Sequence, residues 1–116
     1  MEIRIIKIPI KKSELQNMAE ESSWDVVKAV VDVEQGIIAV GGEFHADEEA
    51  ALMEKEESKR EYTWGINLYP ARDDERWIEF DSLINFKPAY GNRSRSVENP
   101  QTQEAIKKIV LQLILL

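Results

Sequence analysis

A histidine flanked by two carboxylates is the part of this sequence whose residue types could most directly carry chemistry. Glu43, His45 and Asp47 follow an apolar run that ends in two glycines, and His45 is the only histidine in the chain. In an extended segment these i, i+2 and i+4 side chains share a face, so they could offer one nitrogen and two oxygens to a divalent cation. Because the chain has no cysteine, Mg²⁺ or Mn²⁺ suits such a site better than zinc. The alternative is structural: Asp47 caps a helix, Glu43 is solvated and His45 hydrogen-bonds a backbone carbonyl.

The second candidate cluster is the loop Gly91-Asn92-Arg93-Ser94-Arg95 near the other end of the chain. Two guanidiniums beside a hydroxyl are groups that bind phosphate or carboxylate through paired hydrogen bonds. The spacing matches neither of the glycine-rich phosphate-binding fingerprints. Since the formal charge of the protein is −7, Arg93 and Arg95 could instead pair with its own carboxylates. The sequence leaves both interpretations open.

A predicted β-hairpin supplies the third set of candidates. Alternation with a period of two predicts half-buried antiparallel strands over residues 63–69 and 77–86. Trp64 falls on the apolar side of this alternation and is expected in the core. Trp77 falls on the polar side, where it could border a pocket or a partner interface.

The register of this hairpin decides which polar side chains meet. If Tyr69 pairs with Trp77, then Asn67 lies opposite Glu79, and a slip of one residue abolishes the arrangement. The polar face would then have open space above Gly65. The residues predicted to share this face are Asn67, Glu79, Asp81 and Asn85. With Asn92, Arg93, Ser94 and Arg95 they form the candidate ligand-binding set.

The first half of the chain supplies the elements that must position these residues. Residues 3–10 read as a short N-terminal strand, because they are rich in isoleucine and end near a proline. Residues 13–22 have the spacing of an amphipathic helix, with Ser13 in the position of a capping box. Residues 26–33 and 37–40 read as a hairpin whose odd positions in the first strand form an apolar face.

Two further helices are predicted in the second half. Asp47 is placed to cap one of them, with two glutamates in its first turn. Asn99-Pro100 begins the other, since asparagine is a good N-cap and proline suits the first helical position. This last helix has a core-facing stripe, but its end around Leu113–Leu116 is apolar nearly all round. That end is either buried in the protein's own core or part of a homodimer interface.

The elements therefore follow the order β-α-β-β-α-β-β-α. Hairpins outnumber crossovers, which predicts an α+β fold whose mainly antiparallel sheet consists of two hairpins and an N-terminal strand. The three helices are expected to pack on one face of this sheet. We expect residues 1–116 to form a single domain, since no linker, repeat or low-complexity segment interrupts them.

Composition and charge argue against several classes of protein. Without cysteine there can be no disulfide, thiolate metal site or cysteine nucleophile. The sequence has neither a signal-peptide pattern nor an apolar run of about 18 residues, so we expect a cytoplasmic protein that does not span a membrane. A formal charge of −7 argues against nonspecific binding of nucleic acid.

Four segments are distinctive in combination: VVD at 30–32, GGEFHAD at 41–47, WGINLYP at 64–70 and GNRSR at 91–95. This combination resembles a family of small bacterial and archaeal proteins that is classed as a domain of unknown function. The resemblance runs over nearly the whole chain. It implies a compact domain, and it brings no activity, cofactor or catalytic residue with it.

Three functions are consistent with the sequence. The first is a binding or interaction module that recognises an anionic ligand or a protein partner through Arg93, Arg95 and the polar face. The second is a hydrolase acting on a phosphoester, in which Glu43, His45, Asp47 and Asp81 hold Mg²⁺ or Mn²⁺ while the arginines clamp the phosphate. The third is an oligomeric structural protein that assembles through the apolar C-terminal helix.

Overall fold

The fold is built on an antiparallel sheet of five strands, seen here in a computed structural model that describes residues 2–116. The strands are β1 (Arg4–Ile6), β2 (Ile10–Lys11), β3 (Val27–Asp32), β4 (Ile37–Val40), β5 (Thr63–Leu68), β6 (Ile78–Glu79) and β7 (Ile114–Leu115), and the helices are α1 (Lys12–Glu21), α2 (His45–Glu56) and α3 (Pro100–Leu113). The sheet has the spatial order β1-β4-β3-β5-β6, while β2 and β7 form a separate parallel pair. The predicted α+β class is confirmed, and the predicted order β-α-β-β-α-β-β-α is found, with the short strands β2 and β7 in addition.

Helices cover both faces of this sheet, so the prediction that they pack on one face is wrong. On the first face, Ala29 and Val31 belong to a core to which α1 and α3 contribute. On the second face, Val30 and Ala39 pack with Leu52 of α2. The reason is visible in β3 and β4, which carry apolar side chains on both sides, because strands of that kind must be buried on both faces.

The helices begin and end close to their predicted bounds, but two details differ. Lys11 is the N-cap residue of α1, and no side chain among residues 2–116 caps this helix, so the capping box expected at Ser13 is wrong. At the start of α3, Asn99 Oδ1 accepts from the Gln101 N–H at 2.8 Å, which confirms the predicted cap. This helix ends at Leu113 instead of running on, because the next two residues leave it to pair as β7 with β2.

The register predicted for the second hairpin is confirmed. Asn67 pairs with Glu79, and the Tyr69 N–H donates to the Trp77 carbonyl at 2.8 Å. However, β6 has only two residues, and the chain leaves the sheet after Glu79 and forms a 3₁₀ turn over Leu83–Asn85. The strand predicted over residues 77–86 is therefore wrong beyond its first few residues.

A side chain takes the place of the missing strand. Asn85 Oδ1 accepts from the Gly65 N–H at 2.8 Å, and Asn85 Nδ2 donates to the Gly65 carbonyl at 2.9 Å. Ser82 fills the space above Gly65, where a Cβ would come within 2.6 Å of the Ser82 Cβ. The expected open space is thus absent, and Asn85 is buried instead of standing on a polar face.

The two tryptophans of this hairpin both lie in the core of the first face. Trp64 was expected there, whereas the placement of Trp77 on the polar face is wrong. A 3₁₀ turn over Glu75–Trp77 immediately precedes β6, so the side-chain alternation of the strand does not extend back to Trp77.

Within residues 2–116 no helix combines the length and the apolarity that crossing a membrane requires.

Candidate functional site

The structure does not bring Glu43, His45 and Asp47 together. Helix α2 begins at His45 with Phe44 as its N-cap, so the segment is not extended and Asp47 lies inside the first turn, where it caps nothing. In a helix, side chains two residues apart point in different directions. Among the described residues, no group of three or more His, Asp or Glu side chains is placed to hold a metal ion. The geometry on which the predicted Mg²⁺ or Mn²⁺ site and the hydrolase depended is absent.

His45 contacts the sheet instead. Its Nε2 lies 2.8 Å from the carbonyl oxygen of Ile66 in β5, and because a carbonyl can only accept, this nitrogen carries a proton and donates it. Burial is the largest influence on the ring and lowers its pKa, against the smaller opposing effect of the carbonyl bond. His45 is therefore neutral at pH 7, and it joins the start of α2 to the second face of the sheet.

The two sequence clusters nevertheless meet at one place. A cavity of about 300 Å³ opens on the second face between the start of α2 and the loop after β6. We call it the polar cavity, and the side chains that define it are Lys28, Phe44, His45, Asn67, Asp81, Leu83 and Arg95. His45 comes from the first cluster, Arg95 from the second, and Asn67 and Asp81 from the predicted polar face. Residues from five separate segments of the chain thus share one cavity.

The two cations of the polar cavity are held in place by neighbouring groups. Arg95 Nε donates to Asp81 Oδ1 at 2.7 Å, so this arginine pairs with a carboxylate of the protein, which was one of the two interpretations of the sequence. The terminal nitrogens of Arg95 make no hydrogen bond within residues 2–116. Lys28 Nζ donates to the Glu43 carbonyl at 3.0 Å and lies 5.4 Å from the centre of the Phe44 ring.

The other residues of the predicted polar face do not all line the cavity. Asn67 Nδ2 donates to Glu79 Oε1 at 2.8 Å and to the Asp81 carbonyl at 3.1 Å, which fixes its carboxamide at the edge of the cavity. Glu79 stands outside the cavity, where it also accepts a hydrogen bond from the Tyr69 hydroxyl at 3.2 Å. Partial burial, followed by the nearby Glu79 carboxylate, raises the pKa of Tyr69.

Asn92 is the centre of the loop that carries the arginines. It is buried, and its Oδ1 accepts from the Glu98 N–H at 2.9 Å. Its Nδ2 lies within hydrogen-bonding distance of three carbonyls, those of Asn85 (2.7 Å), Ser94 (3.1 Å) and Ser96 (2.7 Å). With its polar atoms engaged in this way, Asn92 shapes the loop and has none left for a ligand.

The other two residues of this cluster lie away from the polar cavity. Ser94 Oγ accepts from the Ser96 N–H at 3.3 Å. The Arg93 N–H donates to Glu98 Oε1 at 3.2 Å, and the Arg93 side chain is exposed and does not line the cavity. Arg93 and Arg95 are therefore not equivalent, although the sequence places them two residues apart.

Buried ionisable side chains are what the sequence reasoning missed. Lys87 Nζ donates to the carbonyls of Arg60 and Thr63, and it lies 3.9 Å from Glu49 Oε2. The Thr63 hydroxyl donates to the same glutamate oxygen at 2.6 Å. Burial lowers the pKa of Lys87 to about 8, against the opposing effect of Glu49. This cluster joins the loop after β6 to the start of β5.

Glu48 is the second such residue, and it is fully buried. Its Oε2 accepts from the Gly42 N–H at 2.9 Å, while its Oε1 has no partner among residues 2–116. Burial raises its pKa to about 9, so the carboxyl is protonated at pH 7. Gly42 has to be glycine, because a Cβ there would come within 2.7 Å of the Glu48 Cγ. The helical spacing of Glu48 and the buried Leu52 was a signal that could have revealed this burial.

Lys28 is the functional candidate that the sequence reasoning left out. It pairs directly across the sheet with Asn67, so the pairing of β3 with β5 places the two side chains on the same face. The order of the strands was needed to see this, because β3 and β5 are far apart in the chain. Phe44 was equally hard to identify, since it reaches the cavity only because α2 begins immediately after it.

Fold and cavity together define an α+β protein with a cationic, partly apolar depression on the second face of its sheet. A profile of the family described as "Protein of unknown function (DUF5674)" matches residues 4–113, and the chain belongs to that family. The resemblance noted in the sequence is thereby confirmed. No curated protein and no solved structure matches the chain.

Proposed function

We propose that this protein binds a small organic anion in the polar cavity, through Arg95 and Lys28. The single observation that carries the proposal is that two cations from distant parts of the chain line the same cavity of about 300 Å³. That volume lies within the range of small-molecule sites, which begins at about 300 Å³. The proposal retains Arg95 from the candidate ligand-binding set and adds Lys28.

Arg95 is already oriented for this role. Its bond to Asp81 uses only Nε, so the two terminal nitrogens are available to form two parallel hydrogen bonds with a carboxylate or phosphate. Asp81 fixes the plane of the guanidinium, but it also neutralises part of the positive charge of Arg95. Lys28 adds a second positive charge, and its ammonium is held by the Glu43 carbonyl, which is neutral.

The border of the cavity indicates what else the ligand carries. Phe44 and Leu83 both line the cavity, and they are 56% and 71% exposed. Burying such side chains against a ligand contributes about 25 cal/mol for each Å² removed from water. An anion with an aromatic or aliphatic body would use both the cations and this border. Inorganic phosphate would use the cations alone.

The test is a titration with three probes, benzoate, phenyl phosphate and inorganic phosphate, followed by NMR at constant ionic strength. We expect the Arg95 Nε–H resonance and the amides of Phe44 and Leu83 to move with phenyl phosphate. Removing the charge in Arg95→Gln should weaken this binding by about 10- to 100-fold, since a hydrogen bond to a charged group contributes about 1.5–3 kcal/mol. Lys28→Gln should weaken it in the same direction.

Arg93→Gln is the matched control. It removes the same charge from the same loop, but Arg93 does not line the cavity, so binding should change by less than about twofold. Equal effects of the two arginine variants would mean that the anions respond only to net charge. If none of the three probes moves the cavity resonances, the proposal fails, and the exposed Phe44 and Leu83 would then be tested as a contact surface for a protein partner.

A further inference from the structure

A second apolar surface, lined by residues of α1, α3 and β6, shares no residue with the polar cavity. A cavity of about 280 Å³ is lined by side chains that include Trp77, Leu111 and Leu116. Trp77 is almost completely buried, whereas Leu111 is 55% and Leu116 is 91% exposed. We call this the leucine surface. Exposed apolar side chains grouped beside a depression are typical of a contact between proteins.

The rim of the leucine surface carries both signs of charge. Lys12 and Lys107 belong to the lining, and so do the acidic residues Asp73 and Glu75. Lys12 Nζ donates to the Arg72 carbonyl at 2.8 Å and lies 4.4 Å from the Trp77 ring centre. It forms no ion pair with a carboxylate of residues 2–116. Lys107 Nζ lies 3.5 Å from Glu104 Oε1, and the Glu104 side chain is 75% exposed. Exposed ion pairs of this kind contribute little to stability.

The acidic part of the rim is also available. Neither Asp73 nor Glu75 forms an ion pair within residues 2–116. Asp74, which lies between them, does pair with Arg76 at 2.7 Å, and the Arg76 guanidinium lowers its pKa. The rim therefore presents two lysines and three acidic residues, Asp73, Asp74 and Glu75, around one apolar depression.

From this pattern we infer that the leucine surface binds a second copy of the same chain, in a dimer with twofold symmetry. A twofold axis sets each patch against itself, so a rim with both signs can place its lysines against the acidic residues of the other copy. The exposed leucines of the two copies then meet around the axis. A partner carrying one sign of charge would meet repulsion on half of the rim. The inference is independent of anion binding, because the two surfaces share no lining residue.

The experiment is sedimentation equilibrium of the whole chain from about 5 to 500 µM, with circular dichroism to show that each variant is folded. We expect a reversible monomer–dimer equilibrium. Leu111→Asp should weaken it by at least 100-fold, because it places a charge at the apolar centre. Met53→Asp is the matched control: Met53 is also exposed on a helix, at 44%, but it lies on α2 and should leave the equilibrium unchanged.

A charge-reversal pair tests the twofold arrangement itself. Lys107→Glu alone and the double variant Asp73→Lys/Glu75→Lys alone should each weaken the dimer by about 10-fold or more. Mixing the two variants should restore association as a heterodimer, because opposite charges then face each other again. A wild-type chain that is monomeric at 500 µM would overturn the inference. A dimer that Leu111→Asp leaves intact, or a mixture that does not associate, would overturn it as well.

Discussion

At the scale of single residues, Glu48 is the clearest case of a side chain whose charge state depends on the fold. The unfolded chain ionises this carboxyl near its ordinary pKa of 4.5, whereas the folded chain keeps it protonated up to about pH 9. Its raised pKa means that the contribution of Glu48 to stability is fully present below pH 4.5. The contribution is lost progressively as the pH rises from 4.5 to 9.

Glu48→Gln should remove this pH dependence. We expect the free energy of unfolding of wild type to fall, relative to the variant, by at most about 1.4 kcal/mol per pH unit between pH 4.5 and 9. Urea unfolding at pH 5, 7 and 8.5 measures the difference, and Glu54→Gln, at an exposed position of the same helix, is the control. A constant difference between wild type and Glu48→Gln at all three pH values would show that the buried carboxyl is ionised.

His45 and Arg95 show at this same scale that residue type alone did not define a site. From the sequence, His45 was a candidate metal ligand, and Arg95 was one of two arginines predicted to bind an anion together. In the structure, the ring nitrogen of His45 is engaged by a carbonyl, and Arg95 is oriented by Asp81. Both residues reached the same cavity through contacts with β5 and with the loop after β6, and neither contact is visible in local spacing.

At the scale of secondary-structure elements, the most informative feature is the contact between Asn85 and Gly65. The Asn85 carboxamide forms the two hydrogen bonds that a neighbouring strand would have formed with Gly65, and Nδ2 also donates to the Arg95 carbonyl at 3.0 Å. One side chain therefore completes the edge of β5 and ties the loop that carries Arg95 to the sheet. The bond to its carbonyl holds the backbone of Arg95, a lining residue of the polar cavity, against the turn over Leu83–Asn85.

Asn85→Ala is expected to destabilise the protein by about 2–4 kcal/mol, because two buried backbone groups lose their partners. Urea unfolding measures this loss. Asn67→Ala is the control of the same residue type, located in β5 itself, and its more exposed hydrogen bonds should contribute no more than about 1 kcal/mol. Equal losses in the two variants would mean that water replaces Asn85 at Gly65.

At the scale of the whole molecule, the strands of the sheet differ in how well they are protected from local opening. The central strand β3 has a neighbour on each side and is covered on both faces, whereas β6 is a two-residue strand at the edge. Elements with paired edges and buried faces open only when the whole protein unfolds, while short edge elements open locally. The loop after this short edge strand, β6, borders the polar cavity.

Amide hydrogen exchange followed by NMR should reveal this difference. We expect the amides of Val30 and Val31 to exchange only through global unfolding, and those of Ile78 and Glu79 to exchange on the order of 100-fold faster. Equal protection of β3 and β6 would show instead that the loop after β6 opens together with the core. In that case the cavity is as rigid as the centre of the sheet.

The sequence alone determined the features that depend on neighbouring residues, namely strand alternation, helix capping and the order of elements. The period-two alternation placed Asn67 opposite Glu79 once Tyr69 was paired with Trp77, and the Asn99-Pro100 pair predicted the start of α3. The α+β class follows from the order of such elements. Each of these depends on residues close together in the chain, so their patterns could be interpreted without knowing the rest of the fold.

Only the tertiary structure decided how those elements meet. Trp77 joined the core because a 3₁₀ turn precedes β6, and α2 covered the second face because β3 and β4 are apolar on both sides. Lys28, His45 and Arg95 converged because β3, α2 and the loop after β6 pack around β5. These outcomes depend on burial and hydrogen bonds between residues far apart in the chain, which no local pattern encodes.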